Sequence, residues 1–213
     1  MTKVILLTGG SGLVGSNIRN HKYSSNYKIL SPSSSDLNLL NYKNVEDYIA
    51  FNKPQMVIHA AGIVGGIQAN VQYPVKFLVD NMQIGLNILM AAKKENVKEF
   101  INLASSCMYP KNSENPISED VILKGEFEPT NEGYSLTKTT STRLCEYINR
   151  EDSSFKYKTV IPCNLYGKYD NFSYDSSHMI PGVIRRIHDA KNNNSEFVDI
   201  WGDGLARREF MYA

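Results

Sequence analysis

Cysteine is scarce in this chain, with three residues, Cys107, Cys145 and Cys163, among 213. An odd number, widely separated, argues against a disulfide framework and against a zinc site, so no metal is expected. Long hydrophobic runs are missing too. No stretch approaches the ~20 apolar residues of a membrane span. The opening Met1-Thr2-Lys3-Val4-Ile5-Leu6-Leu7 passes straight into glycines without a signal-peptide cleavage region. A cytoplasmic location is therefore expected. Charge of one sign is also absent: 23 Lys and Arg stand against 22 Asp and Glu. That balance supplies no field for holding nucleic acid or an anionic membrane. What remains is an ordinary globular composition, 42% hydrophobic and 21% charged, long enough for one large domain or a domain and part of a second.

Apolar runs alternate with helical patterns. Val4 to Thr8, Tyr27 to Leu30, Met56 to His59 and Phe100 to Ala104 read as strands, and Thr159 to Ile161 begins another. Helices are predicted over Ser11 to Asn20, Asn44 to Phe51, Val75 to Asn96 and Tyr134 to Arg150. A continuous apolar strand such as Val4 to Thr8 suits a parallel sheet covered on both faces. The βαβα order predicts an α/β fold with a doubly wound parallel sheet of the Rossmann type. Residues 1–164 would form this unit, and 165–213 a second, partial region. There the pattern suggests a helix around Ile184 to Ala190 and a strand at Phe197 to Ile200.

Gly9-Gly10-Ser11-Gly12-Leu13-Val14-Gly15 closes the first strand and opens the first helix. In this position the three spaced glycines permit a tight turn, close approach to a pyrophosphate, and close packing of helix on strand. The helix N-terminus offers free N–H groups to the phosphates. Sites for NAD usually carry an acid at the end of the second strand, bonded to the ribose. Here Leu30 is followed by Ser31-Pro32-Ser33-Ser34-Ser35, and no acid occurs before Asp36. The missing carboxylate favours NADP (NADPH), although no arginine stands in that stretch to grip a 2′-phosphate. Asp36 and Leu37 are placed along the adenine edge; the competing reading of Asp36 is a turn cap.

Tyr134 and Lys138 lie four residues apart, on one face of the predicted helix. An ammonium beside a phenol is expected to lower its pKa from ~10 and to ready it for proton transfer to a carbonyl. The spacing alone is weak. Downstream of a dinucleotide signature it becomes a reductase hypothesis.

Longer strings carry a more specific signal: His59-Ala60-Ala61-Gly62-Ile63-Val64-Gly65-Gly66-Ile67, Ser105-Ser106-Cys107-Met108-Tyr109-Pro110-Lys111, Glu128-Pro129-Thr130-Asn131-Glu132, Cys163-Asn164-Leu165-Tyr166-Gly167, Asp170-Asn171-Phe172, Ser177-His178-Met179-Ile180-Pro181, Trp201-Gly202 and Arg208-Glu209-Phe210. Together, and over essentially the whole chain, they resemble the GDP-L-fucose synthase group of extended short-chain dehydrogenase/reductases. The resemblance implies epimerisation at C3 and C5 of a GDP-4-keto-6-deoxy-mannose, followed by reduction at C4 with NADPH. It also implies roles. Cys107 and His178 match the pair that exchanges protons at C3 and C5; a thiol and an imidazole titrate near enough to neutrality for that work. Ser105, Tyr134 and Lys138 match the reductive triad. Gly9, Ser11, Gly12, Leu13, Val14, Gly15, Ala60, Ala61, Lys138, Cys163, Asn164 and Leu165 would line the cofactor. Asn164, His178, Arg186, Trp201 and Arg208 would hold the GDP-sugar, arginine suiting phosphate through its planar fork.

Each residue also has a bland reading: a small core cysteine, a turn serine, a helix-start tyrosine, a solvated basic face. Their joint occurrence in family order argues against coincidence. The sequence departs from the family where arginines that grip a 2′-phosphate are replaced by serines, Ser11 among them. Members also continue well beyond the Arg-Glu-Phe string, so an incomplete C-terminal substrate domain is expected. The alternatives are a GDP-4-keto-heptose reductase with the same triad, and a truncated, inactive dinucleotide-binding remnant. A homodimer through the two long helices is a further family expectation.

Overall fold

Val4–Thr8 forms β1, Lys28–Leu30 β2, Met56–His59 β3, Glu99–Leu103 β4 and Lys156–Val160 β5. Together they make one parallel sheet in the order β2-β1-β3-β4-β5. The computed structural model describes residues 2–174, 176–200, 202–205 and 207–213. The helices are α1 (Leu13–Asn20), α2 (Tyr42–Asn52), α3 (Ile67–Gln72), α4 (Pro74–Lys94), α5 (Glu132–Glu151) and α6 (Met179–Asn192). Helix α4 packs against α2 on one side and α5 on the other, making one layer. The chain runs outward from β1 to β2, then returns past β1 to β3. With right-handed crossovers this reversal puts α1 on the opposite face. The reversal also creates a switch point at the carboxyl ends of β1 and β3, where open α/β sheets bind ligands. No helix among the described residues is long and apolar enough to cross a membrane.

Strand side chains alternate faces, so positions two apart share one. Leu6, Val57, Phe100 and Tyr157 stand in register across four strands and are buried with Val45, Ile49, Ile88, Leu89, Cys145 and Ile148 from the helices. Two residues further along, the same face carries Thr8, His59, Asn102 and Thr159, again in register. The core thus ends in a polar row just below the carboxyl edge. Two members are joined by a Thr8 Oγ1 to His59 Nδ1 bond of 2.7 Å, and two by Asn102 Nδ2 donating to Thr159 Oγ1 at 3.3 Å.

Helix α5 is hydroxyl-rich on its buried side. Ser135, Thr137, Ser141 and Thr142 each donate to the carbonyl three or four residues earlier, at 2.7–3.1 Å, so burial leaves these hydroxyls partnered. Small residues let α4 approach closely: a Cβ on Gly85 would lie 2.5 Å from Ser141 Oγ.

One expectation for the second region is corrected. Phe197 to Ile200 is not a strand; Phe197 is 82% exposed and finds no partner strand to bury against. A small parallel sheet forms instead from β6 (Asn164–Tyr166) and β7 (Phe210–Tyr212), where Tyr166 meets Phe210 and Tyr212 edge to face. The helix expected around Ile184 to Ala190 is present and longer.

Candidate active site

The glycine turn sits at the switch point. Gly9 has φ +72, and a Cβ on it would fall 2.6 Å from the Ala60 carbonyl and the Ala61 nitrogen. Only glycine lets the β1–α1 turn lie directly on the Ala60–Ala61 peptide. A Cβ on Gly15 would stand 2.2 Å from Gly9 O and 2.5 Å from Gly10 Cα, so α1 is pressed against the turn that precedes it. Gly12 differs. It is the exposed N-cap of α1, its N–H donates to Gly9 O at 3.1 Å, and a Cβ there would meet nothing closer than 3.5 Å. The N–H groups of Leu13, Val14 and Gly15 begin the helix without intrahelical acceptors, and no acid stands in that turn. This cradle fits a dinucleotide pyrophosphate. Ser11 beside it is exposed.

At the end of β2, Asp36 closes a turn. Its carboxylate accepts from Ser33 N at 3.2 Å and from Ser33 Oγ at 2.6 Å, which holds its pKa below the usual range. Asp36 is a turn cap. Leu37 is 3% exposed, with its side chain in the core. Sequence reasoning missed Arg19. From the last turn of α1 its Nη1 donates to Gly10 O at 3.3 Å, and a Cβ on Gly10 would lie 1.7 Å from Ser31 Oγ and 3.3 Å from Arg19 Cδ. A cation therefore stands beside the serine run after all, contributed by the helix.

The catalytic candidates of β4 and α5 come together. Ser105 follows β4, caps the turn Ser106–Met108 and accepts from Cys107 N at 3.4 Å. Helix α5 packs on this turn and brings Tyr134, Ser135 and Lys138 to it. Lys138 Nζ donates to Leu103 O at 2.9 Å and lies 5.5 Å from the centre of the Tyr134 ring. Cys107 feels the Lys138 charge and the hydroxyls of Ser105 and Ser135. Gly62, after β3, completes the enclosure: a Cβ on it would be 3.9 Å from Lys138 Nζ.

Burial dominates the electrostatics here. It raises the Tyr134 phenol well above its ordinary value, with the Cys107 charge adding to the rise. The lowering expected from Lys138 gives way to a rise whose largest cause is the removal of the phenolate from water. Burial pushes Lys138 down to about 8. It also raises the Cys107 thiol, against the pull of Ser105, Ser135 and Lys138. At neutral pH the site thus holds a protonated phenol, a protonated thiol and a cationic lysine.

The residues of the second region are less closely gathered. His178 is the exposed N-cap of α6, and among the described residues no hydrogen bond joins it to Cys107 or Tyr134. Its neighbour Ser177 does reach the loop after β3, where a Cβ on Gly66 would lie 3.6 Å from Ser177 O. Cys163 is half-buried between β5 and β6, and the side chain of Asn164 is spent on Glu209 O at 2.9 Å. Leu165 lies on β6, and the following loop is tied to α1 by Asn17 Nδ2 donating to Lys168 O at 3.1 Å. Arg186 projects from α6, and Arg208 donates to Arg207 O at 2.8 Å. Trp201 lies outside the described residues.

A glycine cradle at the switch point, with a tyrosine and lysine of one helix and the lysine near the loop after β3, defines a dinucleotide-dependent enzyme of the extended short-chain dehydrogenase type. The chain belongs to the NAD dependent epimerase/dehydratase family, whose model matches residues 5–213. It is 59% identical over 209 residues to GDP-L-colitose synthase of Yersinia pseudotuberculosis, covering 98% of this chain and 68% of that protein. To GDP-L-fucose synthase of Azorhizobium caulinodans it is 50% identical over 211 residues, covering 99% of this chain and 67% of the relative. Among solved structures, a GDP-L-fucose synthetase from Naegleria fowleri bound to NADP superposes with a TM-score of 0.89 at 31% identity, over 100% of this chain and 71% of that one. The chain thus spans about two thirds of the length of these relatives.

Proposed function

We propose that this chain carries the active-site half of an NADPH-dependent epimerase/reductase acting on a GDP-linked 4-keto-6-deoxy sugar. The observation that carries the reading is the meeting of Ser105, Cys107, Tyr134 and Lys138 beside the glycine cradle. NADPH, when bound, supplies the hydride that reaches C4. Tyr134, kept protonated by burial, gives its proton to the C4 oxygen, and Ser105 steadies that oxygen by donating to it. Lys138 provides a fixed positive charge against the growing alkoxide and holds the ribose beside the ring.

The ketone also acidifies the C3 and C5 protons. Removing one leaves an enolate, and returning a proton to the opposite face inverts the carbon, which needs an acid and a base on opposite sides. Cys107 and His178 fill these positions in our reading. Burial keeps Cys107 in the thiol form, the one that donates. Arg186, Arg208 and Trp201 are proposed to hold the GDP-sugar, and Asn164 to border the nicotinamide. Residues 1–164 form the cofactor unit and 165–213 part of the substrate region; the working form is a cytoplasmic homodimer.

Arg19 and Ser31 support NADP over NAD, since both can donate to a 2′-phosphate and no acid opposes it. The identity to a colitose synthase favours a second substrate. L-Colitose is the 3-deoxy counterpart of L-fucose, so its 4-keto precursor needs inversion at C5 alone. The test is NADPH consumption by the chain supplied with GDP-4-keto-6-deoxy-mannose or its 3-deoxy analogue, run in deuterated water. Sugar-dependent oxidation is expected, and deuterium at C5 alone or at C3 and C5 tells the substrates apart. Oxidation with neither sugar would refute the reading.

A further inference from the structure

Arg185 and Asp189 stand one turn apart on α6, and Arg185 Nε donates to Asp189 Oδ2 at 2.6 Å. By itself this is an ordinary ion pair on a helix surface. The segment before α6 adds a third member. Tyr174 donates its hydroxyl to the same carboxylate oxygen, and the centre of its ring lies 5.3 Å from the Arg185 guanidinium. Each of the three groups thus meets the other two, the ring on the cation and the hydroxyl on the anion. The helix already holds Arg185 and Asp189 in place, so docking costs mainly the freedom of Tyr174.

The residues that follow Tyr174 are tied together. Ser177 N donates to Ser173 O at 3.3 Å, and Asn171 Nδ2 donates to Ser176 Oγ at 2.9 Å. Ser177 is approached from two sides: a Cβ on Gly66 would lie 3.6 Å from its carbonyl oxygen, and one on Gly182 would lie 2.8 Å from its hydroxyl. His178 comes next as the N-cap of α6. Its carbonyl accepts from Gly182 N at 3.0 Å, and its side chain makes no capping bond. The imidazole is therefore carried by a backbone fixed downstream by the helix and, four residues upstream, by Tyr174. Stability gives little reason for this cluster. Tyr174 is 51% exposed, and exposed ion pairs contribute little to a fold.

We infer that Tyr174 is a positioning residue: docked on Asp189 and Arg185, it fixes the segment before α6 and so sets where His178 meets the sugar. The inference rests on the proton-exchange role proposed for His178 and adds the group that aims the imidazole. Two readouts in the full chain test it. The first needs no ligand. Backbone NMR order parameters of Ser176, Ser177 and His178 are expected to match those of α6 in wild type, about 0.85, and to fall below about 0.6 in Tyr174→Ala. Asp189→Ala removes the acceptor instead and should loosen the same residues, with the double variant no looser than the worse single one. The second readout is chemical. Exchange of solvent deuterium into the sugar should fall about tenfold or more in both variants, since small misplacement of a reacting group is costly. Reduction of a 4-keto sugar already inverted at these centres should keep its kcat and its KM. Tyr174→Phe, which leaves the ring on Arg185, should recover part of the exchange.

Unchanged order in both variants would overturn the inference, as would a segment already loose in wild type. Exchange and reduction falling by the same factor would overturn it too, leaving Tyr174 a structural residue only. If Asp189→Ala fails to fold, Tyr174→Ala alone gives the decision. A wild type that reduces the inverted sugar yet exchanges no deuterium would count against the role of His178. One that acts on no keto sugar would count against the proposed function. In both cases the order parameters still decide whether Tyr174 fixes the segment.

Discussion

His59 is neutral because the sheet buries it completely. Desolvation, with the Lys138 charge in support, draws its pKa down to about 3 from 6.5. The unfolded chain therefore binds a proton between pH 6.5 and 3 that the folded chain refuses. Stability is fully present above that window and is lost as pH falls through it, at up to about 1.4 kcal/mol per pH unit. His59→Gln should remove this one-proton slope, which urea melts at pH 4 and 7 would read directly. The lysine runs the other way in chemistry. Its ammonium discharges through about 8, so reduction should decline above that pH, in a profile the Tyr134 phenol is too weak an acid to explain. Replacing Tyr134 by Phe is expected to cost at least ~10²-fold in reduction while NADPH affinity, followed by fluorescence titration, stays near wild type. The geometry of this pair was legible in the sequence: Tyr134 and Lys138 share a helix face as their spacing requires. The direction of the phenol shift was not, because a four-residue spacing carries no information on desolvation. Arg19 escaped notice for a related reason. Its approach to Ser31 depends on a long side chain folding back over Gly10, which periodicity does not encode.

At the scale of elements, the glycine turn separates two demands that the sequence pattern mixes. Gly15→Ala would drive a methyl into Gly9 O, and overpacking of this kind should destabilise the chain by about 2–3 kcal/mol, measurable by denaturant titration. Gly12→Ala meets no such obstacle. It should leave the melt nearly unchanged and weaken NADPH binding, because the methyl stands where the pyrophosphate must approach. Equal losses of stability in the two variants would contradict this division. Strands β1 to β4 were readable because each centres on an apolar run, whereas β5 alternates exposed and buried residues and starts at Lys156, three residues before the expected Thr159. Strands β6 and β7 were not, being three residues long and joined across more than forty positions. Phe197 to Ile200 misled in the opposite sense: its residues favour a strand, but an isolated segment has no ladder to join. Helix α3, six residues after paired glycines, is too short for its periodicity to register.

For the molecule as a whole, the outer face of α4 bears on assembly. Val75, Val79, Leu86 and Met90 recur along it at helical spacing and are 37–73% exposed. If two copies pair through this layer, Leu86→Glu combined with Met90→Glu should yield monomers in sedimentation experiments without lowering the melting temperature of the fold. The topology carries a different consequence, one concerning time. All five strands of the parallel sheet, β2-β1-β3-β4-β5, are complete at Val160, whereas the β6–β7 pair waits for residues 210–212. On a translating ribosome, domains fold as units from the N-terminal end. The nucleotide cradle, the polar row and the Tyr134–Lys138 helix can therefore consolidate on the nascent chain before the partner of β6 has been polymerised, so on the proposed reading a newborn chain would meet a dinucleotide before it could meet a sugar.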